Sequence, residues 1–234
     1  MCYYFTDTIY SPTKVGGGME NARLILEIQN KYEERTREQV LANLNIAVAL
    51  GKLRGMEVDR YRALPKVTNR SKHTVMSWFN RPDKRIPLVD LCMIAKYLKY
   101  NIFSFFTLGK DGGEPTTEDF LMSNEYNNAY FPVDGYDIYI RAYDLQLAMD
   151  KDIVIDNLEL FYGTSREILD HHSNERQQRI MTLTGCTLQT YYAWFNRSRK
   201  NVKIPLQYLC MMAIDCNTDL FFFFEDHNVE NSKR

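Results

Sequence analysis

TVMSWFNRPDKRIPLVDLCMIAKYLKYNIFSFF (residues 74–106) and TYYAWFNRSRKNVKIPLQYLCMMAIDCNTDLFFFF (residues 190–224) are two versions of one stretch within this 234-residue chain. With a two-residue insertion after the shared WFNR, 15 of the 33 positions of the first version are identical in the second. The identical positions include Trp78 and Trp194, the two tryptophans of the chain. Internal similarity of this density indicates that one structural unit is used twice.

Each version has the pattern of two helices followed by an aromatic cluster. Ser71 and Thr187 precede an apolar i, i+3, i+4 pattern, as expected of N-cap residues whose hydroxyl accepts a bond from the first turn. A charged loop and then Ile-Pro-Leu follow, and proline fits the first turn of the next helix. The predicted apolar stripe of that helix is Leu88, Leu91, Ala95 and Leu98 in the first version, and Leu206, Leu209, Ala213 and Cys216 in the second.

A further helix is expected upstream of each version. In the second it should cover residues 174–184, with Ser173 as its N-cap and Gly185 at its C-terminus in a positive-φ conformation. Asn69 takes the place of Gly185 in the first version, and asparagine tolerates the left-handed conformation. Pro65 lies inside the corresponding helix, so that helix should be shortened, bent or differently placed.

A helix, a tight turn and an N-capped helix form the helix-turn-helix pattern. Residues 71–80 followed by 87–98 resemble the λ-repressor/Cro-like helix-turn-helix family, through Trp78-Phe79-Asn80, the charged loop and the proline-initiated helix. Residues 194–196 and 205–216 match in the same way, so the resemblance covers over half of the chain. It implies a mainly α fold with two tandem λ-repressor-like helical bundles and a helical arm before them.

The resemblance and the changes in composition predict a division of the chain. One hypothesis takes Met19 as the true start, because the preceding segment ends in three glycines. Residues 130–143 alternate around Asp134-Gly135 and could form a short β-hairpin in the middle segment. The expected parts are a flexible arm 1–18, a helical arm 19–36, a first domain 37–107, an acidic linker or insert 108–150, a second domain 151–226 and a tail 227–234.

In the family that the chain resembles, the second helix of the motif enters the major groove and its first residues contact base edges. Carried onto this sequence, the base-contacting candidates are Lys72, His73, Ser77 and Gln189. The phosphate-contacting candidates are Arg70, Arg81, Lys84, Arg85, Arg197, Arg199, Lys200 and Lys203. The alternative is that these are ordinary solvated residues, as most exposed lysine and arginine clusters are.

The formal net charge of −1 hides a strong asymmetry. Residues 45–106 carry 12 Lys/Arg against 4 Asp/Glu (+8), residues 107–164 carry 3 against 12 (−9), and residues 165–224 carry 7 against 5 (+2). A basic module beside an acidic one can bind a polyanion while the whole chain stays near neutral. The acidic middle should stay off DNA.

Several function classes are disfavoured. No apolar run approaches the ~18 residues of a membrane span, and five cysteines without a CxxC pair favour a reducing cytoplasm over a disulfide framework or zinc site. No catalytic motif is recognisable, so the expectation is a chain that is no enzyme and needs no cofactor or metal.

The leading interpretation is sequence-specific binding of double-stranded DNA by a repressor-like transcriptional regulator with tandem modules. The alternative is a structural or interaction protein, such as a scaffold in a viral or mobile-element assembly, built on the same helices. Self-association or a protein partner would then use the helix at 20–36 or the acidic middle segment.

Overall fold

The computed structural model describes residues 17–132, 134–163 and 172–227, and over these ranges the chain is mainly α-helical and contains no strand. The helices are α1 (Gly17–Glu33), α2 (Arg37–Leu53), α3 (Ala63–Thr68), α4 (Lys72–Asn80), α5 (Leu88–Leu98), α6 (Thr117–Tyr130), α7 (Gly135–Ala148), α8 (Lys151–Tyr162), α9 (His172–Thr184), α10 (Leu188–Phe195) and α11 (Leu206–Asp215). Short 3₁₀ helices cover Ile102–Phe106, Lys110–Gly112 and Leu220–Phe224. Residues 1–16 of the expected flexible arm and residues 228–234 of the tail lie outside the described ranges.

The expected β-hairpin does not form in the described part of the middle segment. α7 begins at Gly135, and its buried residues Tyr139 and Ala142 are three apart, which is helical spacing. The alternation that suggested a strand comes from partly buried positions beside them, such as Ile138 and Ile140. A window this short fits both periods, and packing against neighbouring helices decides between them.

Side-chain caps mark where α4 and α10 begin. The hydroxyls of Ser71 and Thr187 accept from the backbone N–H of Thr74 and Thr190, at 3.0 and 3.2 Å. Both N-caps were predicted from the sequence and are confirmed. Ser173 is not an N-cap, because α9 already begins at His172.

The two repeats use the same order of elements and the same long-range hydrogen bonds. Helices α2 to α5 and the first five-residue 3₁₀ helix correspond to α8 to α11 and the last one. Asn43 of α2 donates its amide to the carbonyls of Phe105 and Thr107. Asn157 of α8 donates to the equivalent carbonyls, those of Phe223 and Glu225. Each asparagine therefore ties the first helix of its repeat to the aromatic 3₁₀ turn.

The repeat extends one helix further upstream than the sequence analysis found. Tyr32, near the end of α1, donates its hydroxyl to the carbonyl of Ile86 at 2.5 Å. Gln146, near the end of α7, donates its amide to the equivalent carbonyl of Ile204 at 2.9 Å. α1 and α7 are therefore corresponding helices, although the residues that make the bond differ.

These two helices are exchanged between the repeats. α1 packs along α11 of the second repeat, and α7 packs along α5 of the first. α1 contributes Ile25 and Ile28, both fully buried, to one hydrophobic core that spans both repeats. The arm predicted at 19–36 is thus a packed core helix that crosses to the other repeat.

The repeats differ in how they cover the aromatic turn. In the first, Phe120 of α6 is fully buried and its ring lies edge-on to Phe105, with centroids 5.7 Å apart. The second repeat has no α6 counterpart in the described residues. Instead Phe161, which stands where the first repeat has Ala47, places its ring edge-on to Phe223 at 6.0 Å. Phe161 is 36% exposed, whereas Phe120 is fully buried, so the aromatic turn of the second repeat is covered less completely.

Candidate nucleic-acid interface

α3, a tight turn and α4 form the surface that the sequence singled out. Pro65 is the third residue of α3, where its missing N–H costs nothing, and the helix is only six residues long. Asn69 ends it in the left-handed region, at φ 52° and ψ 37°, and Ser71 caps α4 two residues later. The predicted shortening of the upstream helix and the left-handed asparagine are both confirmed.

α4 buries one side and exposes the other. Val75 and Trp78 are buried, so the tryptophan is a core residue as expected. Lys72 and His73 at the start of the helix are exposed. The Lys72 ammonium lies 4.9 Å from the centre of the exposed Tyr61 ring. Ser77 is only half exposed, and its hydroxyl donates to the Thr74 carbonyl at 2.6 Å, which leaves it free only to accept.

The loop after α4 holds two exposed cations, Arg81 and Lys84, and a third, Arg85, whose side chain bonds to the fold. Arg81 is exposed, and across the described residues its guanidinium has no ion pair or hydrogen bond. Lys84 is also exposed and lies 3.9 Å from Asp83. Arg85 donates to the carbonyls of Tyr32 and Arg35, the latter at 2.7 Å. It therefore satisfies carbonyls at the C-terminal end of α1, and its assignment to phosphate has no geometric support.

Arg70 is likewise held by the protein. Its Nε lies 3.0 and 3.1 Å from the two carboxylate oxygens of Asp90, which is completely buried. Burial raises the pKa of Asp90, and the Arg70 partner opposes that rise. The arginine neutralises a core carboxylate, so we assign it first to the fold.

Two further cations belong to this surface and were missed in the sequence. Arg62 precedes α3 and Lys66 lies in it, and both side chains are exposed without an ion pair in the described ranges. Their i, i+4 spacing just before the turn is the signal that could have identified them. We call the set Arg62, Lys66, Lys72, Arg81 and Lys84 the basic face.

The same surface of the second repeat is neutral. The residues that align with Arg62, Lys66, Arg70, Lys72 and His73 are Gln178, Thr182, Cys186, Leu188 and Gln189. The alignment is fixed by the turn, since Thr68 and Thr184 both donate to the carbonyl four residues earlier. Gln189 is exposed, as a base-contacting residue must be. Leu188 and Tyr192 beside it are 43% and 57% exposed.

The loop cations of the second repeat are mostly paired. Arg197 lies 2.6 Å from Asp156 and 3.2 Å from Glu159, both on α8. Lys200 pairs with Asp152 and, at 3.5 Å, with Asp150. Lys203 donates to the carbonyls of Leu147 and Met149 at the end of α7, as Arg85 does for α1. Of the four predicted phosphate contacts in this loop, Arg199 is exposed with its side chain unpaired in the part of the chain that the structure describes.

The described residues contain no group of three or more His, Cys, Asp or Glu side chains that could hold a metal ion. Cys92 and Cys210 are buried, and burial raises the pKa of both thiols. No helix among the described residues has the length and apolar character needed to cross a bilayer.

No protein-family model, no curated protein and no solved structure matches this chain.

Proposed function

We propose that this chain binds double-stranded DNA through the basic face of its first repeat and acts as a sequence-specific regulator of the repressor type. The observation that carries the proposal is the exposure of cations at both ends of α4. Its first residue, Lys72, is an exposed cation, and the loop beyond its last residue offers Arg81 and Lys84. Nine residues at ~1.5 Å each separate the two groups by roughly 13 Å, a helix length that fits the major groove.

Base contacts would come from the start of α4. The Lys72 ammonium can donate to guanine O6 and N7, and the His73 ring can donate or accept. Ser77 contributes at most an acceptor, because its proton is used within the helix. We therefore expect the preferred sequence to contain guanine opposite Lys72.

Phosphate contacts would come from the other cations of the basic face. Such contacts position the protein and set the dependence on salt, and they carry little sequence information. Substituting one should weaken binding to all sequences to a similar degree and lower the slope of log K against log salt by about one.

Selection of bound fragments from random duplex DNA at physiological salt, followed by fluorescence anisotropy on the enriched sequence, tests the proposal. Lys72→Ala should cost about 1–3 kcal/mol on the enriched sequence and less on others. Arg81→Ala should weaken binding to the enriched sequence and to other sequences equally. Arg199→Ala is the matched control, since it removes an exposed, unpaired arginine from the second repeat.

The proposal is wrong if no sequence is enriched and the basic-face variants bind duplex DNA as the unmodified chain does. It is also wrong if the Arg199→Ala control loses as much affinity as Arg81→Ala.

A second candidate function is supported by the second repeat. Its α10 surface is neutral and exposes Leu188 and Tyr192, and exposed aliphatic and aromatic side chains beside uncharged neighbours are typical of protein interfaces. On this interpretation the chain is an interaction or scaffold protein. Retention of a defined protein partner by a variant that lacks the basic-face charges would favour it.

A further inference from the structure

We propose that the DNA ligand is a single non-palindromic site contacted by the first repeat alone, because carboxylates of α8 occupy the phosphate-binding loop of the second. This inference rests on the proposed function and specifies its substrate. Two tandem repeats would otherwise suggest two half-sites, as in a dimeric repressor.

One pair of identical residues carries the argument. Arg81 and Arg197 are the same position of the repeat, the arginine that follows Trp-Phe-Asn. Arg81 extends into solvent, whereas Arg197 is held by Asp156 and Glu159 at 2.6 and 3.2 Å. The residues of α2 that align with these two acids are Ala42 and Asn45, neither of which is charged.

The neighbouring lysines differ in the same direction. Among the described residues, the one acidic partner of Lys84 is the adjacent Asp83, at 3.9 Å. Lys200 pairs with Asp152 and with Asp150, the N-cap of α8. Carboxylate oxygens therefore accept from Arg197 and Lys200 in the way that phosphate oxygens would.

The α8 carboxylates should disfavour DNA binding more through their repulsion of phosphate than through the strength of their ion pairs. Exposed ion pairs are worth only about 0–1 kcal/mol, so a phosphate could replace a carboxylate as the partner. The displaced carboxylates would remain within the ~8 Å over which charges interact at physiological salt. Together with the neutral α10 surface, this makes the second repeat a poor partner for a second groove.

The experiment neutralises two of the α8 carboxylates and asks whether the second repeat then contacts DNA. The test variant is Asp152→Asn/Asp156→Asn; Glu159 is retained because it also pairs with the largely buried Arg176. The control is Glu125→Gln/Asp144→Asn, which makes the same charge change at exposed acids of α6 and α7. Affinity for the selected duplex is measured against salt, with and without Arg197→Ala.

The test variant should bind several-fold more tightly than the control variant, with a salt slope steeper by about one to two. Arg197→Ala should abolish that gain, yet leave the affinity of the unmodified chain unchanged. The selected fragments should share one motif without an inverted repeat.

Three results would overturn the inference: equal gains in the test and control variants, an enriched inverted repeat, or a loss on Arg197→Ala in the unmodified chain equal to that of Arg81→Ala. The Arg197→Ala measurement alters no acid and decides the question even if the test variant does not fold. Failure of the proposed function itself is distinguishable, since Arg81→Ala would then leave DNA binding unchanged.

Discussion

Replacement of Arg70 by methionine tests whether this arginine serves the fold. Without Arg70, the buried Asp90 carboxylate loses both of its bonds to Nε. Leaving one member of a buried ion pair unpaired costs about 3–5 kcal/mol. We expect a loss near the lower end, about 3 kcal/mol, because the Arg70 side chain is 42% exposed and water can enter once it is removed.

The pH dependence of the loss identifies its cause. Burial raises the pKa of Asp90 and Arg70 opposes this, so Arg70→Met should raise the pKa further. A carboxyl whose folded-state pKa exceeds its unfolded value contributes stability at low pH, and this is lost as the pH rises through the folded-state pKa. The deficit of the variant should therefore be largest near neutral pH and smaller at acidic pH, where the carboxyl is protonated.

Urea unfolding at the two pH values, followed by fluorescence of the buried tryptophans, measures the effect. Arg81→Met is the control and should stay within about 0.5 kcal/mol of the unmodified chain, because Arg81 is exposed. Adding Asp90→Asn to Arg70→Met should restore most of the stability. A deficit that is equal at both pH values, or that Asp90→Asn leaves unchanged, would refute the assignment of Arg70 to the core.

Four further substitutions test the packing, the caps and the hydrogen bonds to the aromatic turn. Phe120→Ala should destabilise by about 3–5 kcal/mol in urea unfolding, because the ring is fully buried in the first repeat; a loss below about 1 kcal/mol would mean that α6 does not cover the aromatic turn. Ser71→Ala and Thr187→Ala should each cost about 1 kcal/mol by thermal unfolding, as N-caps do, and clearly unequal losses would contradict their equivalent geometry. Asn157→Ala should cost about 1–3 kcal/mol by chemical denaturation, since it leaves the buried Phe223 carbonyl unpaired and removes the bond to the Glu225 carbonyl; an unchanged midpoint would show that those bonds do not hold the turn.

The sequence predicted the features that depend on neighbouring residues. The N-caps at Ser71 and Thr187, the left-handed Asn69 and the effect of Pro65 each follow from local chemistry. The buried stripe that includes Leu91 also followed, since periodicity reports which side of a helix meets the core.

The exchanged helices could not be predicted in this way. α1 and α7 share almost no identical residues, and their equivalence lies in bonds to carbonyls over fifty residues away. Tyr32 and Gln146 bond to those carbonyls through different groups, a hydroxyl and an amide. Residue identities therefore do not show that α1 and α7 correspond. The middle segment was misjudged as a hairpin for a related reason, because α5, against which α7 packs, lies far away in the chain.

Some of the residues predicted to contact phosphate bond instead to backbone carbonyls of the fold. Arg85 and Lys203 align and cap α1 and α7, although one is an arginine and the other a lysine. Arg37 and Lys151, the first residues of α2 and α8, likewise donate to carbonyls at the end of α4 and α10. At these positions the repeats retain a cation because the fold uses it, so its presence in both copies says nothing about DNA.

The positions that are informative about binding are those whose side chains the fold does not need for its stability. An exposed residue outside the bonds of the fold can change at a cost within about 0.5 kcal/mol, so two diverging repeats should differ there first. Lys72 of the first repeat aligns with Leu188 of the second at such an exposed position, whereas the buried Trp78 aligns with the buried Trp194. Apart from Arg70, the cations of α3 and α4 that the second repeat lacks, Arg62, Lys66 and Lys72, lie at exposed positions. Positions of this kind are where two repeats with different binding partners should differ.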